Sequence, residues 1–207
     1  MTKFIKIPIE VSARHCHISK EDCQKLFGKT KLTFLKKIGQ SQFAAKETIN
    51  LFYKGKILKN IRIVGPFRIQ TQVEISLTDA IFLGIKPCLS MGLPEEPLIK
   101  TPGAEIIGSK GKLKLKHGIF TDYRHLHLNI ETAKKLNLSQ NQKVKVLIKG
   151  KRGLIFDNVF VTIGKNYNTS LHLDTDEGNA AGIIKKGTGY LKVQNSKCKS
   201  RNDDVEY

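Results

Sequence analysis

Apolar and polar residues alternate with a period of two over several short stretches of the chain. KFIKIPIEVS (3–12), VKVLIKG (144–150) and NVFVTI (158–163) place apolar side chains at every second position, as half-buried strands do. In KLKLKHG (112–118), Lys112, Lys114 and Lys116 form a solvent face over Leu113 and Leu115. Turn signals, KGK at 54–56 and KGKRG at 149–153, separate short strands. Helical stretches are few and short. Ser19 is placed to cap one, with Asp22 at N3 and Gly28 at its end; Asn129 is placed to cap another carrying Glu131, Ala133 and Leu136. Many strands with a few short helices predict a mainly β fold of small β-barrels, not a parallel α/β sheet.

The pattern repeats. SARHCHISKEDCQKLF (12–27) and DYRHLHLNIETAKKLNL (122–138) both read R-H-x-H, an aliphatic residue, Ser or Asn, then an acidic helix-forming stretch. VEISLTDAIFLGI (73–85) matches LHLDTDEGNAAGI (171–183) over equal length, which sets Glu74 on His172 and Gly84 on Gly182. NIRIVG (60–65) resembles NVFVTIG (158–164), with one extra residue. Three matches in the same order describe two diverged copies of one unit of about 80–100 residues.

Composition bounds the class of protein. The 207 residues are 40% hydrophobic and 26% charged, enough apolar content for a core and too much for intrinsic disorder. No apolar run approaches the roughly 20 residues of a membrane span. The start, MTKFIKIPIE, lacks the apolar centre of a signal peptide, so an intracellular protein without a membrane partner is expected. Cys16, Cys23, Cys88 and Cys198 stand at unrelated spacings and read as reduced thiols. The 36 Lys plus Arg against 18 Asp plus Glu give a net charge of +18, which invites a nucleic-acid reading. Only six of the basic residues are arginine, aromatics are 7% with no Trp, and no helix-turn-helix, zinc-finger or RNP signature is present. A lysine coat is the better reading, and no nucleic-acid partner is expected.

Five of the six histidines fall in the repeat motifs. His15 and His17, and likewise His125 and His127, are two residues apart. On a strand that spacing sets both rings on one face, about 6.5–7 Å apart at Cα, where they can converge on one metal ion. Cys16 then points the other way. With the matched residues Glu74 and His172, the candidate ligand sets are His15, His17, Glu74 and His125, His127, His172. Three N or O ligands suit zinc with an open fourth position, the arrangement of a catalytic site. Two other readings are a pair of closed zinc sites that staple small barrels, and satisfied histidines without metal. His117 stands outside the pattern, beside a Gly turn.

Arginine clusters near the same motifs although lysine is the default base. Arg14 and Arg124 precede the His pairs, and Arg62 and Arg68 flank the stretch leading to Glu74. Arg68 and Glu74 are six apart in GPFRIQTQVE, so on one continuous strand they share a face. Arg grips phosphate with a two-pronged fork where Lys offers a point charge. The alternative for Arg68 is an ordinary surface ion pair. The chemistry indicated is metal-assisted transfer on a phosphate-bearing substrate.

IPIEVSARHCHIS, GPFRIQTQVEIS, YRHLHLN and HLDTDEGNAAG together resemble the phosphate propanoyltransferases of the PduL type, two-zinc phosphotransacylases, over residues 4 to 193. The resemblance implies two zinc ions (Zn2+) per chain on the six residues named above, and phosphate binding with a catalytic role at Arg68. It implies coenzyme A contacts at Val11, Ser12, Ala13, Lys54, Arg62 and Asn179. The implied fold is two repeat-related β-barrels capped by short α-helices, with the N-terminal strand swapped into the C-terminal barrel. The corresponding domains are 14–122, and 4–13 with 123–207. The implied reaction transfers a short acyl group, propanoyl or acetyl, between coenzyme A and phosphate. A homodimer is implied too. The first motif begins too early to leave room for a microcompartment-targeting extension, which implies a free cytoplasmic enzyme.

Two stretches depart from the family pattern. Leu77 stands where the family usually has Arg, and KPCLSMGLPEEPLIKTPG (86–103) replaces a basic, Gly-rich segment. Both bear on the coenzyme and acyl contacts. They leave one alternative, a catalytically impaired descendant that still binds zinc and coenzyme A.

Overall fold

A computed structural model describes residues 3–38, 42–94 and 97–193. Cys198, Glu95 and Glu96 lie outside the described residues. In chain order, β1 (Lys3–Val11) and β2 (His15–His17) precede α1 (Lys20–Phe27). There follow β3 (Phe34–Ile38), β4 (Gln42–Tyr53), β5 (Lys56–Gly65), β6 (Gln72–Glu74) and α2 (Leu77–Leu83). Next come β7 (Leu89–Ser90), β8 (Glu105–Ile107), β9 (Lys112–Lys114) and β10 (Ile119–Asp122). The second half runs β11 (His125–Leu128), α3 (Ile130–Leu136), β12 (Lys143–Ile148), β13 (Leu154–Ile163), β14 (Ser170–Leu173), α4 (Thr175–Ala181) and β15 (Lys186–Val193).

The fold is mainly β, as expected, and the two halves are copies. The series β2, α1, β4, β5, β6, α2 recurs as β11, α3, β12, β13, β14, α4. Their registers agree: β2 runs parallel to β5 and antiparallel to β6, and β11 runs parallel to β13 and antiparallel to β14. The second copy closes as a six-stranded barrel in the order β1-β14-β11-β13-β12-β15. β1 supplies the closing strand, parallel to β14 and antiparallel to β15 from Lys3↔Val193 to Glu10↔Lys186. The N-terminal strand thus sits in the C-terminal barrel. The first copy remains a half-barrel, a nine-stranded sheet whose β4 edge is taken by β8 and β3.

Alternation sets the two cores. In β12 Val144, Val146 and Ile148 turn inward and Lys143 and Lys145 outward. They join Ile7, Ile9, Leu126, Leu128, Val161, Leu171 and Leu191 in the barrel interior. Cys16, Ile18, Leu26, Ile49, Ile61, Ile63, Val73 and Ile119 form the other core. Each such Leu or Ile contributes about 1.5–3 kcal/mol by leaving water. Cys16, Cys23 and Cys88 are free thiols. Among the described residues, no helix is long and apolar enough to cross a membrane.

The helices are capped as the sequence reads them. Ser19 accepts from the Asp22 amide, Asn129 accepts from the Thr132 amide, and Gly28 ends α1 at φ 67°. The helices α2 and α4, absent from that reading, carry full capping boxes, Ser76 with Asp79 and Asp174 with Glu177. Gly84 and Gly182 end them at φ 75° and 70°. The two helices meet at their N-termini, where the Thr78 amide donates to Asp176 Oδ2 at 2.8 Å.

Candidate metal and phosphate site

Strand alternation decides which way the histidines face. Leu126 and Leu128 fill the barrel, so His125 and His127 stand on its outer wall. Cys16 is fully buried in the first core, and His15 and His17 take the opposite face of β2. The third residue of each set arrives on the neighbouring antiparallel strand, Glu74 opposite His15 and His172 opposite His125.

The second set is the tighter. The donor atoms of His125, His127 and His172 all lie within 4.8 Å of one another, so this group could hold a metal ion. Their ring centroids are 4.4–5.1 Å apart. In the first set, His15 Nε2 lies 3.5 Å from Glu74 Oε2, and the His15 and His17 rings stand edge to face at 5.0 Å. Zinc bonds of 2.0–2.2 Å at tetrahedral angles hold donors about 3.3–3.6 Å apart, which the His15–Glu74 pair matches.

Tautomers are fixed from behind. The carbonyls of Ala13, Val64 and Tyr123 can only accept, so Nδ1 of His15, His17 and His125 carries the proton, at 3.0, 3.0 and 2.8 Å. Nε2 of each is left with its lone pair directed forward, as a ligating imidazole requires. Burial keeps the rings of His17, His125, His127 and His172 neutral. It lowers His125 and His172 to about 4 and His127 to about 2, helped by the neighbouring imidazoles, and holds His17 well below its usual value. Beside His127 in the register, the buried hydroxyls of Thr162 and Ser170 make no hydrogen bond among the described residues. Neutral imidazole nitrogens and one carboxylate form a donor set that fits zinc.

The two sets are close enough to act on one another electrostatically. His15 helps to lower His172, and Glu74 pulls His125 back up. Arg68 lies in the same field. Burial depresses its guanidinium, while Glu74, Asp122 and Tyr167 counter that effect. The reading of Arg68 and Glu74 on one continuous strand is corrected: β5 ends at Gly65, before Pro66, and Arg68 sits in the connection to β6. Its amide donates to Ile18 O at 3.0 Å, and its Nη1 donates to Gln72 Oε1 and to Gly92 O. Gly92 and Leu93, in the divergent 86–103 segment, thereby hold Arg68 and Gln72 in place.

The other arginines have structural partners. Arg14 pairs with Asp79, and Arg124 pairs with Glu177 at 2.8 Å. Each clamp ties the strand carrying His-x-His to the helix that follows the third residue of the set. Burial and Asp174 push the Glu177 carboxyl up to about 7, against the pull of Arg124. Arg62, registered beside His15, donates to the carbonyls of Ala45 and Lys46 at 3.1 and 2.7 Å.

Of the remaining residues singled out in the sequence, Val11, Ser12 and Ala13 leave the end of β1 next to His172, and the Ser12 amide donates to Leu173 O at 2.8 Å. Asn179 is exposed on α4. Lys54 does not join them: it turns the β4–β5 hairpin, eight residues from Arg62, more than 20 Å along an extended strand. Sequence reasoning missed Tyr167, whose ring stacks on His127 at 4.1 Å and rests where a Cβ on Gly164 would meet it at 2.9 Å. It also missed Gln72, Asp79 and Glu177; the last two are aligned partners in the 73–85 and 171–183 repeat.

Residues 8–184 match the family model described as phosphate propanoyltransferase. A phosphate propanoyltransferase from Enterococcus faecalis is 38% identical over 186 residues, covering 88% of this chain and 86% of that one. One from Thermotoga maritima is 40% identical over 178 residues, 84% of this chain and 83% of that one. One from Citrobacter freundii is 41% identical over 178 residues, 85% and 83%.

Proposed function

This chain belongs to the phosphate propanoyltransferase family, and on that premise we propose that it catalyses acyl-CoA + phosphate ⇌ acyl phosphate + CoA with propanoyl or acetyl as the acyl group. Two zinc ions are part of the proposal, one on His15, His17 and Glu74 and one on His125, His127 and His172. The observation that carries it is the pair of repeat-matched ligand sets close enough to act on one another, with Arg68 in the field of Glu74 and of Asp122 and Tyr167, the neighbours of His125 and His127. Zinc, when bound, supplies Lewis-acid chemistry that favours the thiolate of coenzyme A and polarises an acyl carbonyl.

The protein's own residues do the rest. Arg68 grips the phosphate, its fork pre-oriented by Gln72 and Gly92 O, so that charge developing in transfer meets a fixed cation. Tyr167, against His127, covers the second set and limits its exposure to water. Val11, Ser12, Ala13, Arg62 and Asn179 receive coenzyme A, with Lys54 taking a distant part of it; the register of Val11 next to His172's strand and of Arg62 beside His15 supports this. The domain limits 14–122, and 4–13 with 123–207, follow the two buried clusters and belong to this proposal, as do a homodimer and a cytoplasmic setting. Light scattering tests the dimer.

The test is turnover. Propanoyl phosphate or acetyl phosphate with coenzyme A yields thioester, and chelation abolishes the reaction until zinc is returned. A second reading, a chain that binds zinc and coenzyme A without turnover, draws on Leu77, half-exposed at the start of α2 where the family usually has Arg. Coenzyme A binding with no thioester from a zinc-replete sample favours that reading.

A further inference from the structure

The two copies build the same junction of hairpin and helix, and they finish it differently. In the first, a two-residue turn joins β4 to β5, and Lys56 holds its ammonium 5.7 Å from the centre of the Phe82 ring on α2. In the second, the hairpin between β12 and β13 is five residues, Lys149–Gly153. Ala180 stands two residues before the Gly182 cap, where Phe82 stands before Gly84. The aromatic ring is absent there. In its place a cleft of about 460 Å³ opens between the longer hairpin, the end of α4 and β15.

The walls of this cleft are cationic. Lys149, Lys151 and Arg152 line it, with Thr188 and Tyr190, and none of the lining residues is acidic. Two of the cations are anchored. Arg152 donates its Nε–H to the Ala180 carbonyl at 3.0 Å, at the electronegative end of α4, and lays its stem against Gly182. That bond does not use the two terminal amino groups of the guanidinium. Lys149 sits 4.6 Å from the centre of the Tyr190 ring. Such a concave site, with point charges, an arginine fork, hydroxyls and one aromatic ring, matches a phosphorylated ligand with a flat base.

We propose that the cleft between Lys149–Arg152, the C-terminal end of α4 and Tyr190 binds a phosphorylated nucleotide. The seven-residue helix α4 separates it from His172 by about 10 Å. The nucleotide is therefore either the phosphorylated end of coenzyme A reaching away from the metal sets, or a free nucleotide held beside them. The inference does not depend on turnover or on metal.

The experiment is calorimetric titration of adenosine 3′,5′-bisphosphate, and separately inorganic phosphate, into the full chain. Two variants accompany it: Lys151→Ser with Arg152→Ser, which removes charge, and Ala180→Phe, which sets a bulky ring beside the lining residues Ala181 and Gly182, as Phe82 stands in the first copy. One nucleotide per chain is expected, at least ten-fold tighter than phosphate, and at least ten-fold weaker in each variant with thermal melting unchanged. Competition by coenzyme A identifies the substrate's own nucleotide end, and lack of competition identifies a free nucleotide; both uphold the site. Absence of nucleotide binding, phosphate binding as tight as nucleotide, or wild-type affinity in Ala180→Phe overturns it. An inactive chain that binds nucleotide contradicts the proposed reaction and leaves the cleft standing.

Discussion

Glu74 and His172 occupy one position of a repeated fold, Glu74 across the strand pair from His15 and His172 across the equivalent pair from His125. The two sets therefore differ by one charge. A carboxylate in the first set would offset part of a bound dication's charge, and three neutral imidazoles in the second would leave it whole.

The equivalence predicts an asymmetric response at position 74. Glu74→His reproduces the second set and keeps its metal. Glu74→Leu loses one metal ion per chain and leaves the other. Equilibrium dialysis against zinc distinguishes them; loss of metal from Glu74→His as complete as from Glu74→Leu contradicts the equivalence.

The clamp between Arg124 and Glu177 is expected to position the second set. Arg124→Met leaves Glu177 without its partner, costs about 1–2 kcal/mol in urea unfolding, and weakens zinc at the second set about ten-fold. Arg124→Lys recovers part of both. Competition with a chromophoric chelator reads the affinity. Arg14 is the more exposed of the two clamp arginines, and Arg14→Met has the smaller effect.

At Arg68 charge and shape separate. Arg68→Ala raises KM for phosphate at least ten-fold, with KM for coenzyme A changed less than about two-fold. Arg68→Lys keeps the charge and loses the fork, so it recovers only part of the difference. Steady-state kinetics with each substrate varied in turn checks this.

Stability of the metal-free chain falls on acidification. Unfolded, the three histidines of the second set titrate near 6.5; folded, burial holds His125 and His172 near 4 and His127 near 2. Between pH 6.5 and 4 the unfolded chain therefore binds more protons through them, and stability drops with pH. Glu177, up at about 7 when folded, works in the opposite direction between 7 and 4.5. Three groups outweigh one. Urea midpoints at pH 7, 6 and 5 are expected to fall in that order, and less steeply in His127→Ala.

Local pattern made much of this site legible, and long-range geometry hid the rest. His-x-His on a strand needs only a period of two, and the repeat supplied Glu74 and His172. Closure of the barrel depends on β1 meeting β15 about 180 residues later, which no local pattern encodes; it came from the family resemblance. The strand through Arg68 was misread because Gly65-Pro66 ends the ladder, proline having no amide to donate. Arg14 and Arg124 pointed to phosphate on residue type alone, but their carboxylate partners lie 65 and 53 residues away. Ser76 with Asp79 and Asp174 with Glu177 did carry the signal for α2 and α4 in plain sight. Tyr167 is a loop residue 40 positions from the ring it covers, and nothing in its own neighbourhood marks it.

The most direct measurement is metal content with activity, taken on the same samples of wild type, Glu74→Leu and His172→Leu. Two zinc ions per chain with thioester formation are expected in the wild type, and one zinc ion with activity lost in each variant. Full thioester formation by metal-free wild type, or unchanged zinc in both variants, contradicts the account.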